Sequence, residues 1–309
     1  MTFAEWVCRS QKALERSEVW FGHGTDNAAD EAVWLVLSAI GAAADGSFTG
    51  WDDVAGKEQD QKIAGLLKRR IDSRKPLAYL TGEAWFCSLR FTVSEQVAVP
   101  RSPIAELIRQ RFAPWVQMDR ISRVLDLCTG SGCIAIAIAR HMPWLRVDAA
   151  DISVAALQVA EQNRQLHGLG ERMELIVSDL FADLERRRYG LIVSNPPYVS
   201  KAVFDSLPAE YHAEPEEALV SGMEGLALAL EILIQSPAFL DRDGVLICEV
   251  GESAALLQAS LPGLPLTWID FEHGGGGVFT LTRNELLEHQ QAIMTLRHQG
   301  VNGELMHVV

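Results

Sequence analysis

The sequence lacks any apolar run of the roughly 18 residues that a membrane-spanning helix needs, so no integral membrane segment is predicted. Its first residues carry acidic side chains and no apolar signal-peptide core, which leads us to expect a cytoplasmic protein. The five cysteines are scattered and form no CxxC pair, which argues against a disulfide framework or a cysteine-based zinc site. The eight histidines are equally dispersed, and we expect no metal site.

Basic residues are outnumbered, with 27 Lys and Arg against 41 Asp and Glu, and the formal net charge is −14. Residues 202–240 contain no Lys or Arg but many acidic residues, which we interpret as an acidic surface, either simply solvated or steering a basic partner. Direct nucleic-acid binding is not expected, because it depends on Lys and Arg meeting phosphates. The one dense basic segment, KRRIDSRK at residues 68–75, is interpreted as a solvated helix end, with RNA contact as the alternative.

Residues 1–80 predict a mostly helical domain. The stretch at residues 26–40 begins with N-capping and acidic side chains, and Gly41 follows as a C-terminal stop. Residues 52–73 form a second amphipathic segment, which Pro76 ends. Residues 83–100 are rich in aromatic and β-branched side chains with one polar break, which is typical of a hairpin. We therefore expect residues 81–120 to form a β-hairpin linker and a connecting helix.

From Arg123 onward, short apolar strands alternate with helices. This alternation predicts an α/β fold over residues 121–285, with a mostly parallel sheet and helices on both faces, the Rossmann-like architecture. The last two strands flank the glycines at 274–277 and are joined by too few residues for a crossover helix, so the last strand should be antiparallel. Residues 286–309 are predicted to form a C-terminal tail that begins as a polar helix.

A glycine-rich turn follows the first strand of this sheet. Residues 126–135 read DLCTGSGCIA, in which the glycines let the backbone approach a ligand and the helix N-terminus favours an anionic group. Asp151 ends the next strand, where an ionised carboxylate can accept both hydroxyl hydrogens of a ribose. These residues predict a nucleoside-cofactor pocket, and the loop is also compatible with a nicotinamide dinucleotide. A tight turn with a purely structural role is the alternative.

Three further side chains near this pocket have two interpretations each. Asp126 either orients the loop or meets an ammonium group of the cofactor. Asp179 ends the third strand and could accept a hydrogen bond from an adenine amino group, or it could cap a helix. Phe181 could pack on the adenine ring, or it could belong to the core.

The segment SNPPYVS, residues 194–200, ends the fourth strand with two prolines. Asn195 should lie at the same sheet edge as the glycine loop. A primary amide is a poor nucleophile, and a site can aim its nitrogen by accepting both N–H hydrogens. The Asn195 side-chain oxygen and the Pro196 carbonyl could serve as those acceptors, while Pro197 makes the corner rigid and Tyr198 packs over the planar amide. A simple strand-ending turn is the alternative.

DLCTGSG, Asp151, SDLF and NPPY together resemble the class I, S-adenosylmethionine-dependent methyltransferases, and more closely the HemK-like family, which methylates the side-chain nitrogen of a protein glutamine. The resemblance covers about residues 20–285. PRSPIAE at residues 100–106 and Cys128 are similar to the branch that acts on large-subunit ribosomal protein L three, whereas the release-factor branch usually has a PRPETE-like segment and a glycine at these places.

The resemblance implies S-adenosylmethionine as cofactor and a helical N-terminal domain that binds the protein substrate. It implies that Asn195, Pro196 and Tyr198 carry catalysis and that these three residues, with Pro197, bind the substrate amide. It also implies cofactor contacts by the following residues: Asp126, Cys128, Thr129, Gly130, Ser131, Gly132, Asp151, Asp179, Phe181 and Asn195. Release-factor glutamine methylation, an amino-methyltransferase acting on nucleic acid, a nicotinamide oxidoreductase and a non-catalytic cofactor-binding module remain alternatives.

Overall fold

The computed structural model describes residues 1–185, 187–272 and 274–301, and its chain forms two units. The helical unit contains residues 1–95 and 99–101, together with a later segment, Leu207–Glu214. The sheet unit contains residues 96–98, 102–206 and the chain from Pro215 onward. The predicted hairpin linker is therefore divided: its hairpin belongs to the helical unit, and its helix to the sheet unit. Residues 302–309 of the predicted tail lie outside the described residues.

The helical unit holds four helices and one hairpin: α1 (Phe3–Glu15), α2 (Ala28–Ile40), α3 (Lys57–Ser73), α4 (Leu77–Thr81), β1 (Glu83–Phe86) and β2 (Leu89–Thr92). The predicted C-terminal end of α2 is confirmed, while the helix begins at Ala28, two residues after the start of the predicted stretch. The Asn27 side chain caps its first turn by accepting from the Asp30 N–H, and Gly41 ends it in the left-handed conformation, at φ 71°. The strands β1 and β2 pair antiparallel, as the hairpin prediction required.

Arg70 on α3 is fully buried and lies between two carboxylates. Its Nε donates to Glu31 at 2.7 Å, and its Nη1 donates to Glu210 at 3.2 Å. Glu210 also accepts from Arg74 through both oxygens, at 2.7 Å each. The same two buried residues hold the loop after α1, since Glu210 accepts from the Trp20 N–H and Arg70 donates to the Trp20 carbonyl. The Leu207–Glu214 segment is thus bound into the helical unit by charged hydrogen bonds.

Glu214 is the second buried carboxylate of this segment. It accepts from the Arg101 guanidinium through both oxygens, at 2.8 and 2.7 Å, from the Val99 N–H at 2.8 Å, and it faces His23 Nε2 at 2.8 Å. Burial alone would raise the pKa of Glu214, but the charge of Arg101 and the hydrogen bonds from His23 and Arg101 outweigh burial and hold this pKa at about 2. Glu214 is therefore ionised at neutral pH.

These contacts correct two interpretations of the charge pattern. Glu210 and Glu214 are buried, so the acidic stretch of residues 202–240 is not one continuous surface. Arg70 is buried and Arg74 is bound to Glu210, so the segment at residues 68–75 is not a free basic patch. Sequence alone shows the charges but not that one segment neutralises the other.

The described residues of the sheet unit form seven helices and seven strands: α5 (Ile104–Arg109), β3 (Arg123–Leu127), α6 (Cys133–His141), β4 (Arg146–Asp151), α7 (Val154–Leu166), β5 (Met173–Val177), β6 (Tyr189–Ser194), α8 (Lys201–Ser206), α9 (Ala227–Phe239), β7 (Leu240–Glu249), α10 (Ala254–Ser260), β8 (Thr267–Trp268), β9 (Val278–Thr282) and α11 (Arg283–Val301). Short 3₁₀ turns join some of them.

The seven strands form one sheet in the order β5-β4-β3-β6-β7-β9-β8. All neighbouring pairs from β5 to β7 are parallel, and β9 runs antiparallel to both β7 and β8. The predicted fold class is confirmed, including the antiparallel last strand. Every residue of β6 is buried, as expected for a strand covered by helices on both faces.

The helix α11 begins where the polar helix was predicted, but it is part of the packed core. Leu286, Ile293 and Leu296 are buried, and α11 packs against α9 and β7. The three residues recur at helical spacing, which is the signal for one apolar face. No helix within the described ranges has the length and hydrophobicity needed to cross a membrane.

Replacing Glu210 by Ala should strongly destabilise the helical unit, because it leaves the buried Arg70 without one partner and frees Arg74. We expect a loss of about 3–5 kcal/mol in the free energy of unfolding, measured by denaturant titration of tryptophan fluorescence. Glu217→Ala is the matched control, since Glu217 is exposed and should change stability by less than about 0.5 kcal/mol. Equal effects of the two substitutions would contradict the stabilising role of Glu210.

Candidate active site

The carboxyl ends of three central strands lie side by side. Leu127 of β3 is paired with Ser194 of β6, and Ser194 is paired with Cys248 of β7. The buried Ser194 hydroxyl also donates to the Leu127 carbonyl at 2.9 Å, which ties two of these strand ends together. Cys128 and Asn195 directly follow β3 and β6, and Glu249 is the last residue of β7, so the three residues lie at one edge of the sheet.

Three alternate residues of the glycine loop after β3 have a left-handed backbone conformation, with positive φ. Cys128 has φ 57°, Gly130 φ 54° and Gly132 φ 78°. A Cβ at Gly130 would meet nothing within 4 Å, so the backbone there faces open space, whereas a Cβ at Gly132 would crowd Ala160 of α7. Thr129 and Ser131 are buried, and their backbones are held within the protein: the Thr129 N–H donates to the Ala150 carbonyl at 3.1 Å, and the Ser131 carbonyl accepts from the Asn163 amide at 2.9 Å.

Asp126 holds this loop from within. One of its oxygens, Oδ2, accepts from the Thr129 hydroxyl at 2.6 Å and from the Ala135 N–H at 3.1 Å. The other oxygen, Oδ1, is buried and has no hydrogen-bond partner among the described residues. Burial raises the pKa of Asp126 to about 7, and the two hydrogen bonds only partly oppose this. These contacts favour the first of the two predicted roles of Asp126, which is to orient the loop.

Asp151 at the end of β4 contacts the glycine loop directly. Its Oδ2 accepts from the Gly130 N–H at 2.8 Å, and its Oδ1 accepts from the Ser153 N–H at 2.9 Å. Burial raises the pKa of Asp151, while these backbone N–H groups act against the rise. Ile152 follows with a side chain that is 66% exposed, which is high for an apolar residue beside a predicted pocket.

The two residues predicted to meet an adenine ring are placed differently. Asp179 follows β5 and its side chain is exposed. Phe181 is only 2% exposed, and its ring stacks on Phe239 of α9, with centroids 4.7 Å apart. Phe181 is thus packed like a core residue, which was the second of its two predicted roles. Cofactor contact by Asp179 or Phe181 stays a prediction.

The diproline corner begins directly after β6. Asn195 is half-buried, and its side-chain amide carries an oxygen that can act as a hydrogen-bond acceptor. Pro196 is buried, and Pro197 and Tyr198 are half-buried. Because prolines carry no N–H, the corner offers acceptors and no backbone donors at these positions.

Tyr198 is held by residues that sequence reasoning did not assign to the site. Its hydroxyl donates to Glu249 at 3.0 Å, and its carbonyl accepts from the Ser253 hydroxyl at 2.9 Å. Its ring lies so close to Gly251 that a Cβ there would overlap it. One signal was available, because Glu249 ends an apolar run that leads to the same sheet edge. Its partner could not be read from the sequence.

Residues 110–225 match the family described as "Methyltransferase small domain". The chain is 49% identical to the "Ribosomal protein uL3 glutamine methyltransferase" of Xylella fastidiosa (strain Temecula1), with 96% of this chain and 94% of the relative aligned. It is 43% identical to the protein of the same name from Francisella tularensis subsp. tularensis (strain SCHU S4), with 94% and 93% aligned.

Both alignments extend over nearly the full length of the chain, so they include the helical unit, the glycine loop and the diproline corner. Identity at this level over whole chains reflects common descent rather than a shared motif. The chain therefore belongs to the methyltransferase family represented by the ribosomal protein uL3 glutamine methyltransferases.

Proposed function

We propose that the protein methylates the side-chain amide nitrogen of a glutamine in ribosomal protein uL3, the L three protein of the large subunit. The observation that carries the proposal is the 49% identity over 96% of the chain to a relative with that name. The edge formed by the glycine loop and the diproline corner supports it, because a cofactor and an amide could be bound there side by side.

The chemistry of the proposed reaction requires a nitrogen that is aimed and made electron-rich. The Asn195 side-chain oxygen and the Pro196 carbonyl accept the two hydrogens of the glutamine amide, which orients its nitrogen toward the glycine loop. Tyr198 packs over the planar amide and limits its rotation. Positive charge grows on the nitrogen as it is methylated, and the two oxygen acceptors stabilise that charge.

S-Adenosylmethionine supplies an electrophilic methyl group when it is bound. The residues at the glycine loop fit this cofactor: Gly130 faces open space, and Asp151 has lone pairs left after accepting one backbone N–H on each oxygen. The exposed Ile152 offers apolar surface next to Asp151 for a base. The buried Oδ1 of Asp126 is an acceptor without a partner among the described residues, which would suit an ammonium donor.

The other candidate functions are less well supported. A release-factor glutamine methyltransferase would share the chemistry, but the similar full-length relatives carry the uL3 name. An enzyme acting on nucleic acid is disfavoured by the net charge of −14. Since ribosomal proteins are made in the cytoplasm, the proposal places the enzyme there, and its partner is a basic protein.

Purified enzyme with methyl-labelled S-adenosylmethionine should transfer label to uL3, and peptide mass spectrometry should locate the label on one glutamine. Peptide release factors, offered in parallel, are the matched alternative substrates. Labelling of the release factors but not of uL3 would overturn the substrate assignment while leaving the reaction type intact.

Substituting Asp151 by Asn should weaken binding of S-adenosylhomocysteine about 10- to 100-fold, because a charged acceptor of the ribose hydroxyls is replaced by a neutral amide. Isothermal titration calorimetry measures the change. Asp183→Asn is the control, since Asp183 is exposed, nearby and loses the same charge. Thermal stabilisation of the wild type by NAD but not by S-adenosylhomocysteine would reject the proposed cofactor.

Substituting Asn195 by Ala should lower kcat by about 100-fold or more, because one of the two acceptors that stabilise the charged nitrogen is lost. Binding of S-adenosylhomocysteine should be retained within a few-fold. Asn284→Ala, an exposed position on α11, serves as the control and should keep full activity. Full turnover by Asn195→Ala would exclude the proposed role of the corner.

A further inference from the structure

Glu249, the last residue of β7, is a buried carboxylate that binds two hydroxyl groups. It is 4% exposed. Its Oε1 accepts from the Tyr198 phenol at 3.0 Å, and its Oε2 accepts from the Ser102 hydroxyl at 2.5 Å. A buried carboxylate is costly unless hydrogen bonds compensate for the lost hydration, so these donors and the carboxylate depend on one another.

The surroundings of Tyr198 restrict each part of this residue. Its carbonyl is held by the Ser253 hydroxyl, and its ring lies against the backbone of Gly251. A Cβ at Gly225 would overlap the Tyr198 carbonyl oxygen, so the backbone also passes very close on that side. At the far end of the side chain, the phenol donates a charge-assisted hydrogen bond to Glu249. A tyrosine that served only to fill the core would not need a buried charge.

We propose that Glu249 is a positioning residue for the methyl transfer: it fixes the Tyr198 side chain, and through it the diproline corner, in the orientation that receives the glutamine amide. The inference rests on the proposed function. Its physical basis is that a ring which samples several orientations cannot hold a planar amide in a single orientation. A displacement of about 1 Å at a reacting group can lower the rate about 100-fold.

Ser102 has a separate task, which allows the two donors to be distinguished. Its hydroxyl donates to Glu249 and also accepts from the Ile104 N–H at 3.2 Å, at the start of α5. Ser102 thus occupies one carboxylate oxygen and leaves the other for Tyr198. Removal of the Ser102 hydroxyl should affect the start of α5, whereas loss of the Tyr198 hydroxyl should affect the corner.

A double-substitution cycle tests the inference. Glu249→Gln has one carbonyl oxygen for two donors, and we expect kcat for uL3 to fall about tenfold. Made in the Tyr198→Phe background, the same change should lower kcat by less than about twofold, because no phenol is left to be positioned. The affinity for S-adenosylhomocysteine should stay within twofold in all variants. Glu252→Gln, an exposed neighbour with the same charge change, should leave kcat unaltered.

A tenfold loss in both backgrounds, or no loss in either, would overturn the inference. If Glu249→Gln does not fold, Glu249→Asp replaces it in the cycle, because a shorter carboxylate keeps the charge but withdraws from the phenol. A purely structural role would lower the unfolding midpoint and the amount of active enzyme equally in both backgrounds, and would show no coupling to Tyr198.

A second readout does not need activity. The chain has four tyrosines, so fluorotyrosine labelling gives few NMR signals, and Tyr198→Phe identifies the one from Tyr198. Glu249→Gln should shift that signal, and Glu252→Gln should not. An unchanged signal would overturn the inference by itself. If instead the signal shifts but the wild type labels no glutamine in any protein offered, the proposed function fails and the positioning contact stands.

Discussion

The parallel pairing of β3, β6 and β7 in one register is the constraint on which the site depends. Backbone hydrogen bonds of a parallel sheet fix how far each strand extends, so the residues after Leu127, Ser194 and Cys248 must emerge at one edge. The Ser194 hydroxyl reinforces this register by binding the Leu127 carbonyl. Were β6 to slip by two residues, the corner would move by about 6–7 Å from the glycine loop and the two could not serve one reaction.

A second constraint operates inside the helical unit, where buried charged groups accompany the apolar packing. Arg70 binds Glu31 and Glu210, which are separated from it by 39 and 140 positions in the sequence. Such contacts add little net stability compared with apolar side chains of the same volume, but they tolerate no other partner geometry. They therefore determine which segment is accepted there, and the Leu207–Glu214 segment is held by two such carboxylates.

The sequence was sufficient for features with local causes. Apolar runs, the cap at Asn27, the stop at Gly41 and the alternation of strands and helices predicted the elements and the fold class, because neighbouring residues decide them. It was not sufficient where the cause lies far along the chain. The pairing of Glu210 with Arg70 and the pairing of Glu249 with Tyr198 join distant segments, and the stacking of Phe181 on Phe239 does the same.

Pro196 and Pro197 of the diproline corner carry no backbone N–H, and this has a consequence for selectivity. A carboxamide presents two N–H hydrogens to paired oxygens, but a carboxylate presents only lone pairs, which oxygens repel. If the corner binds a carboxamide as proposed, acceptors at Asn195 and Pro196 would favour glutamine over glutamate, although the two have nearly the same shape. Spontaneous deamidation of the target would then convert a substrate into a weaker ligand of the corner, so the corner would also distinguish intact from chemically aged protein.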